Sequence, residues 1–254
     1  YFDFSFLSET FILQLKQFLS EKNTTVFYNI DLIGSLSKTG NWYHNLKEDH
    51  KILEVILKQN PSDQILSVDT TIYQNAGANC IQQLAYALAH ANEYLNHFSE
   101  NKELKITFKV SVGGNYFFEI AKIRALRVLY ATLAKEYSMS TECHIVATPS
   151  LRNKTLYDYN VNMLRTTTEC MSTVLGGADT VVNLAYDGLY HKSNEFGERI
   201  SRNQLLILKA ESYFDMVSNP ADGSYYIESL TQELAEKGLA LFKNIEAGGG
   251  FLKQ

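Results

Sequence analysis

The clearest indication of the fold class is the segment Leu104-Lys105-Ile106-Thr107-Phe108-Lys109-Val110-Ser111-Val112, which is followed by Gly113-Gly114 and a long segment from Asn115 to Tyr137. Apolar and polar side chains alternate along the first part, which is the period of a β-strand with one apolar and one polar face. In the second part apolar residues recur every three or four positions, as on one side of a helix. On that helix Glu119 and Lys122 are expected to pair at the surface. A strand, a glycine turn and a long helix in this order predict a βα unit.

The same two periods alternate along the rest of the chain. Four more strand-like segments are Thr25–Leu32, Gln64–Thr70, Cys143–Thr148 and Thr180–Tyr186. The other helix-like segments are Glu9–Leu19, Lys47–Gln59, Gly77–Phe98, Asn160–Leu175, Asn194–Phe214 and Ile227–Ile245. Strands that alternate with helices predict a parallel sheet, and both a doubly wound sheet and a (β/α)8 barrel fit the order.

The polar faces of the strands favour the barrel. Parallel strands are usually covered on both faces and read as continuous apolar runs, whereas Ser67, Asp69, Thr107 and Lys109 interrupt two of these strands. An antiparallel sheet with one solvent-exposed face would show the same alternation, but the long helices between the strands disfavour an antiparallel arrangement. Barrels of this type normally fill their interior with Val, Ile and Leu. A polar lining predicts an interior that holds water or a polar ligand.

Composition excludes several classes of protein. The chain has 254 residues, 45% hydrophobic and 20% charged, as in ordinary globular proteins. Its net charge of −5, with no basic stripe, argues against nucleic-acid binding. Three scattered cysteines indicate a reducing compartment and a cytoplasmic location. No apolar run approaches the length of a membrane span, so no membrane association is expected.

Residues that often carry chemistry have simpler interpretations here. The Gly113-Gly114 pair lacks the spacing of a phosphate-binding loop and is interpreted as a tight turn. The six histidines form no HExxH or HxH pattern, so we expect packing or surface roles and no metal site. No GxSxG motif is present, and no catalytic residue is assigned. Arg124 and Arg127 are expected on a solvated helix face or at an interface.

Six local strings together resemble one known family. They are Tyr73-Gln74-Asn75-Ala76-Gly77-Ala78-Asn79, Phe117-Phe118-Glu119-Ile120-Ala121-Lys122-Ile123-Arg124-Ala125, Asn162-Met163-Leu164-Arg165-Thr166-Thr167-Thr168-Glu169, Arg199-Ile200-Ser201-Arg202-Asn203-Gln204, Asn219-Pro220-Ala221-Asp222-Gly223-Ser224-Tyr225-Tyr226 and Ile245-Glu246-Ala247-Gly248-Gly249-Gly250. From about Thr25 to Phe251 the chain resembles the methylmalonyl-CoA mutase family. The resemblance implies a (β/α)8 barrel in which the pantetheine arm of an acyl-CoA lies along the barrel axis. It also implies a radical isomerisation of methylmalonyl-CoA to succinyl-CoA, with adenosylcobalamin as the source of the radical.

Departures from the family pattern indicate a non-catalytic chain. Catalytic members carry Tyr and His where this chain has Thr71 and Ile72, and a Glu near the cobalamin where it has Gly188. Isoleucine cannot replace the hydrogen bond of a histidine. The family's cobalamin-binding DxHxxG motif is absent from these residues, so adenosylcobalamin is expected in the complex but not on this chain. The resemblance therefore implies a small, structural subunit that supports a catalytic large subunit in a heterodimer.

Three positions are candidate substrate-binding residues. Lys105 and Thr107 stand where the family has Arg and Ser on the strand that contacts CoA, and Thr148 stands where it has a Gln that faces the active site. Two alternatives remain open. The chain could be a catalytic acyl-CoA mutase with a changed substrate, or an unrelated barrel enzyme of small polar metabolites that uses Asp31 and Asp69 as acid and base.

The length suggests an incomplete barrel. Five βα units of about 40 residues each occupy most of the chain, so we expect five-eighths of a barrel at residues 1–218 and the start of a linker helix at residues 219–254. The first residue is Tyr1 and not Met, which points to a fragment. Open sheet edges would also permit a homodimer of the fragment.

Overall fold

The computed structural model describes residues 1–22, 24–61 and 63–253, and this part of the chain forms five β-strands and nine α-helices. The strands are β1 (Phe27–Ile30), β2 (Gln64–Asp69), β3 (Ile106–Val112), β4 (His144–Pro149) and β5 (Thr180–Val181). The helices are α1 (Glu9–Leu19), α2 (Leu32–Thr39), α3 (Leu46–Gln59), α4 (Thr71–Asn75), α5 (Cys80–His97), α6 (Tyr116–Glu136), α7 (Val161–Leu175), α8 (Glu195–Ala210) and α9 (Tyr225–Ala247), followed by a 3-10 helix at Phe251–Lys253. The strands form one parallel sheet in the order β1-β2-β3-β4-β5. The predicted α/β class with a parallel sheet is confirmed.

Two differences from the predicted elements have local causes. The strand-like segment at 25–32 ends early, because Asp31 accepts a hydrogen bond from the Gly34 N–H and caps α2. The segment at 180–186 forms only the short β5, because the Asn183 amide donates to the Ser201 carbonyl and Gln204 Oε1 of α8. Side-chain contacts of this kind draw the backbone away from the sheet ladder.

The apolar face of the sheet packs against the helices, as the alternation predicts. Ile106, Phe108 and Val112 of β3 are fully buried. The ring of Phe108 meets the ring of Tyr130 from α6 edge-on, with centroids 5.3 Å apart. Leu84 from α5 belongs to the same cluster. This layer of sheet and helices is the main hydrophobic core.

The sheet is strongly curled. Neighbouring strands lie about 4.8 Å apart, so in a flat sheet β1 and β4 would be separated by about 14 Å. The rings of Phe27 on β1 and His144 on β4 nevertheless lie with centroids 4.4 Å apart. The concave face must therefore bring side chains of non-adjacent strands into contact, which is consistent with the predicted partial (β/α)8 barrel.

The amino-terminal residues lie over the concave face. The Phe2 N–H donates to the Phe27 carbonyl at 2.8 Å, so this segment runs beside β1. The Tyr1 hydroxyl lies 2.8 Å from His144 Nε2 and 2.6 Å from Thr180 Oγ1, on β4 and β5. Residues from both ends of the sheet thus converge on Tyr1.

Helix α9 forms an outer layer over α5 and α6. Arg124 of α6, predicted on a solvated face or at an interface, lies with Nη2 2.6 Å from Glu228 Oε1 of α9. A Cβ atom on Gly238 would come within 3.2 Å of Leu84 Cβ on α5. At 23 residues α9 is long, yet no helix in the described ranges has both the length and the apolar character needed to cross a membrane.

Candidate functional site

The polar face of the sheet is buried, and part of it is unsatisfied. Ser67 and Thr107 are paired across β2 and β3 and are each 1% exposed, and Asn29 on β1 is 9% exposed. Within the described residues, Asn29 Oδ1, Ser67 Oγ and Thr107 Oγ1 have no hydrogen-bond partner. Each buried polar atom without a partner costs about 1–3 kcal/mol. Polar groups on three adjacent strands are therefore available to a ligand on the concave face.

A cavity of about 300 Å³ opens where β1, β2 and β3 end. Asn29 and Ser67 line it, together with Asp31, Asp69 and Lys109. The carboxyl ends of parallel strands in α/β folds are the usual place for ligands. The structure thus brings together Asp31 and Asp69, the two carboxylates that the sequence offered for acid and base chemistry.

Asp31 is held by four hydrogen bonds in a buried network. Its Oδ1 lies 2.9 Å from His90 Nε2 and accepts from the Tyr94 hydroxyl and the Gly34 N–H, both at 2.7 Å. Its Oδ2 accepts from the Asp69 N–H at 2.7 Å. Burial opposes the charge, but the contacts with His90, Tyr94 and Gly34 outweigh it and hold the pKa of Asp31 below its ordinary value. Asp31 is therefore a fixed carboxylate, already saturated with donors.

The lysines of the cavity are paired with carboxylates. Lys38 Nζ lies 2.7 Å from Asp69 Oδ2. Burial lowers the pKa of Lys38, but the hydrogen bond to Asp69 and nearby carboxylates more than compensate, and the pKa is raised. Lys109 Nζ lies 2.9 Å from Asp3 Oδ1 and 3.9 Å from Asp69 Oδ2. Lys38 therefore lacks the lowered pKa that would mark an amine nucleophile.

The structure separates the three predicted substrate-binding residues. Lys105 is exposed just before β3, and Thr107 follows on the concave face. Thr148 is half-buried and pairs with Ser111, four residues further along β3 than Thr107. At about 3.3 Å per residue this places Thr107 and Thr148 about 13 Å apart along the strands. The three side chains can contact one extended ligand but not one small one.

A second cavity, of about 380 Å³, lies beside the first at the ends of β2, β3 and β4. Gly113, Glu119 and Arg152 line it. Glu119 and Lys122 form the ion pair predicted from their spacing, with Oε2 and Nζ 2.5 Å apart. The surface location was wrong, because both side chains are at most 5% exposed. Lys122 Nζ also donates to the Ser111 carbonyl at 2.7 Å, so this pair ties α6 to β3.

The positions where catalytic relatives are expected to carry Tyr and His hold no ionisable group. Thr71 begins α4, and its hydroxyl donates to Asp69 Oδ1 at 2.5 Å. Ile72 follows with a purely aliphatic side chain. Gly188 lies in a turn closed by its own N–H and the Ala185 carbonyl. These side chains offer no acid, base or charged donor to a substrate.

His90 and Tyr94 were not predicted as partners of Asp31. They are four residues apart on α5, and both are fully buried. Burial and the Asp31 charge raise the pKa of Tyr94 well above its ordinary value, so its hydroxyl keeps its proton. The helical spacing of these two polar residues was the available signal, but their partner lies 59 residues earlier than His90.

Comparison with known proteins gives one consistent family. The family model described as methylmalonyl-CoA mutase matches residues 6–254. The chain is 42% identical to the methylmalonyl-CoA mutase small subunit of Porphyromonas gingivalis, over 75% of this chain and 33% of that protein. It is 36% identical to methylmalonyl-CoA mutase of Cereibacter sphaeroides, over 80% of this chain and 30% of that protein.

A third relative, the methylmalonyl-CoA mutase small subunit of Propionibacterium freudenreichii subsp. shermanii, is 33% identical over 78% of this chain and 33% of that protein. The chain thus spans about a third of the length of the curated relatives it matches. The resemblance inferred from the six sequence strings is confirmed over nearly the whole chain. The chain belongs to the methylmalonyl-CoA mutase family.

Proposed function

We propose that this chain is part of the small subunit of an adenosylcobalamin-dependent methylmalonyl-CoA mutase and that it does not itself catalyse the isomerisation. In this proposal it contributes part of a (β/α)8 barrel that stabilises a catalytic large subunit in a heterodimer. Relatives named as small subunits support a larger partner. The curled parallel sheet supports the barrel.

One observation carries the non-catalytic role: the end of β2 holds no ionisable side chain at the two positions of the family's Tyr and His. The Thr71 hydroxyl donates a hydrogen bond to Asp69, and the side chain of Ile72 has no polar atom. General acid–base work and the binding of a carboxylate both need a group that can donate or accept a proton or carry a charge. Neither residue can take either role.

In the proposal the concave face still contacts the extended arm of an acyl-CoA. Thr107 has a buried hydroxyl without a partner, and Thr148 lies at the other end of the same face. Lys105, exposed at the amino end of β3, would lie near the charged end of such a ligand. An amide-containing chain can satisfy buried hydroxyl groups along its length.

Adenosylcobalamin is assigned to the partner chain. When bound, it supplies the radical that starts the rearrangement. The residues described here do not fit it, because the cavities at the two ends of the strands measure about 300, 380 and 560 Å³, and a corrinoid exceeds the drug-sized ligands that such volumes hold.

The remaining parts of the proposal concern organisation. Residues 1–218 are assigned to the barrel and residues 219–254 to the start of a linker, with α9 packed along α5 and α6. A cytoplasmic location fits the three free cysteines. A homodimer through the open sheet edges stays a prediction. The alternative of an unrelated barrel enzyme is disfavoured by the family match.

The proposal is tested by measuring the conversion of methylmalonyl-CoA to succinyl-CoA with adenosylcobalamin, for this chain alone and with a catalytic large subunit. We expect no turnover by the chain alone and co-purification with the large subunit. Turnover by the chain alone would contradict the non-catalytic role. Lack of any association with the large subunit would contradict the supporting role.

A second measurement tests whether the polar, concave face of the sheet contacts CoA. Thr107→Val removes the buried hydroxyl at nearly constant volume, and we expect it to weaken CoA binding about fivefold, as for one lost hydrogen bond. The matched control Thr168→Val, on the exposed side of α7, should leave binding unchanged. Equal binding by both variants would remove Thr107 from the proposed path of the CoA arm.

A further inference from the structure

The cavity at the ends of β1, β2 and β3 contains two neutral groups that lack partners. Asn29 and Ser67 both line it. Asn29 Oδ1 and Ser67 Oγ make no hydrogen bond to any described residue, and the two residues are 9% and 1% exposed. Groups this deeply buried are normally hydrogen-bonded. These two point to a ligand that brings hydrogen-bonding groups of its own.

The backbone at Asn29 supports the same inference. Its φ is 46°, in the left-handed region that residues other than glycine seldom adopt. Asn tolerates this conformation better than most residues, but the region is still sparsely populated. Residues held in such conformations cluster at ligand-binding sites. Here the unusual conformation and the unpartnered amide occur at the same residue.

The charges around the cavity are already matched with one another. Lys38 is paired with Asp69 and Lys109 with Asp3. The Asp31 carboxylate accepts hydrogen bonds from the Gly34 N–H, the Asp69 N–H and the Tyr94 hydroxyl. No charged group of the cavity is left to recruit a counter-ion. Three carboxylates against two lysines also disfavour a further anion.

We propose that this cavity binds a small, neutral molecule that carries several hydroxyl groups, of the polyol or monosaccharide class. A hydroxyl both donates and accepts, so adjacent hydroxyl groups can donate to Asn29 Oδ1 and bond to Ser67 Oγ. Further hydroxyl oxygens can accept from the ammonium groups of Lys38 and Lys109, each of which has donors to spare beyond its carboxylate. A volume of about 300 Å³ is at the lower end for ligand sites and suits a small ligand.

This proposal is independent of the mutase role. Lys105, Thr107 and Thr148, the residues assigned to the acyl-CoA arm, do not line the cavity. Either proposal can therefore fail while the other holds.

The test is a titration of the chain with glycerol, xylitol and D-ribose, followed by ligand-observed NMR, with lactate, succinate and pantetheine as comparison ligands. We expect at least one polyol or sugar to bind with a dissociation constant in the millimolar range, and the carboxylates to bind more weakly. Binding of none of the three hydroxyl compounds would overturn the proposal. Tighter binding of a carboxylate, or of pantetheine alone, would overturn the ligand class.

Ser67→Ala is the decisive variant. It deletes a hydroxyl that has no partner in the chain, so we expect the variant to fold. We expect polyol binding to weaken about fivefold, the value of one hydrogen bond. Ser229→Ala, an exposed position on α9, is the matched control and should bind as the parent does. Equal affinities of both variants would remove Ser67 from the site and overturn the proposal.

Discussion

Asp31→Asn should be among the most destabilising conservative substitutions in the chain. Each oxygen of Asp31 accepts from a backbone N–H, Oδ1 from Gly34 and Oδ2 from Asp69, both at 2.7 Å. A backbone N–H cannot become an acceptor. Whichever way the amide of the variant is turned, its NH2 group must therefore face a backbone donor.

The size of the effect follows from what is lost. The variant forfeits at least one charge-assisted hydrogen bond, worth about 1.5–3 kcal/mol. It also leaves that backbone N–H buried without an acceptor, which costs about a further 1–3 kcal/mol. We expect the free energy of unfolding to fall by about 3–5 kcal/mol, a large share of the 5–15 kcal/mol that is typical of a protein.

The assay is urea unfolding followed by far-UV circular dichroism at neutral pH. Asp158→Asn, an exposed position with no side-chain partner among the described contacts, is the matched control and should change stability by at most about 0.5 kcal/mol. The folded-state pKa of Asp31 lies below its ordinary value. Its contribution is therefore present above about pH 4 and disappears as the pH falls through the folded-state pKa. A loss below about 1 kcal/mol at neutral pH would contradict this expectation, because it would mean that the buried network tolerates a neutral amide.

Two further substitutions test how the helices are held. Lys122→Met leaves the Glu119 carboxylate buried and unpaired, and it should lower the free energy of unfolding by about 3–5 kcal/mol in the same urea assay. If Glu119→Gln in the same chain restores stability, the unpaired charge is the cause. An equally unstable double variant would contradict this explanation. Gly238→Val forces a branched side chain against Leu84 Cβ, 3.2 Å from the position of a Cβ, and should cost about 1–3 kcal/mol. Ala240→Val on the exposed side of α9 is its control, and equal losses in the two variants would show that helix propensity and not packing is responsible.

Elements with strong periodicity could be predicted from the sequence. The alternation from Leu104 to Val112 predicts β3, its apolar face and its polar face, because a strand places successive side chains on opposite sides. The helix after it was bounded correctly to within one residue at each end. Helix α2 could not be predicted, because Gly34 and Ser35 are weak helix formers, and its start depends on Asp31 and on a hydroxyl from Tyr94 of α5.

The candidate site was predictable only in part. The carboxylates at the strand ends were visible, because polar residues after a parallel strand lie at the usual ligand-binding edge. Their partners His90 and Lys38 were not, because neither has a local motif and both contacts depend on tertiary packing. The buried location of Glu119 and Lys122 was hidden for a related reason, because Lys122 faces Gln83 of α5 and the Ser111 carbonyl of β3 only after these elements have packed together. Burial is a property of the assembled layers and not of one helix.

The strand order β1-β2-β3-β4-β5 also has a consequence for how the chain folds. Because neighbours in the sheet are also consecutive strands in the sequence, each strand is joined to its partner by one helical crossover. The sheet can therefore grow one βα unit at a time as the ribosome delivers it. Helix α9 differs, since it must close long loops to reach α5 and α6, and loop closure costs more entropy as the loop lengthens. Its docking should therefore come last. Until Tyr225 and the residues after it have emerged, apolar side chains such as Leu84 and Leu129 remain uncovered on the nascent protein, and this is the interval in which it would depend on chaperones.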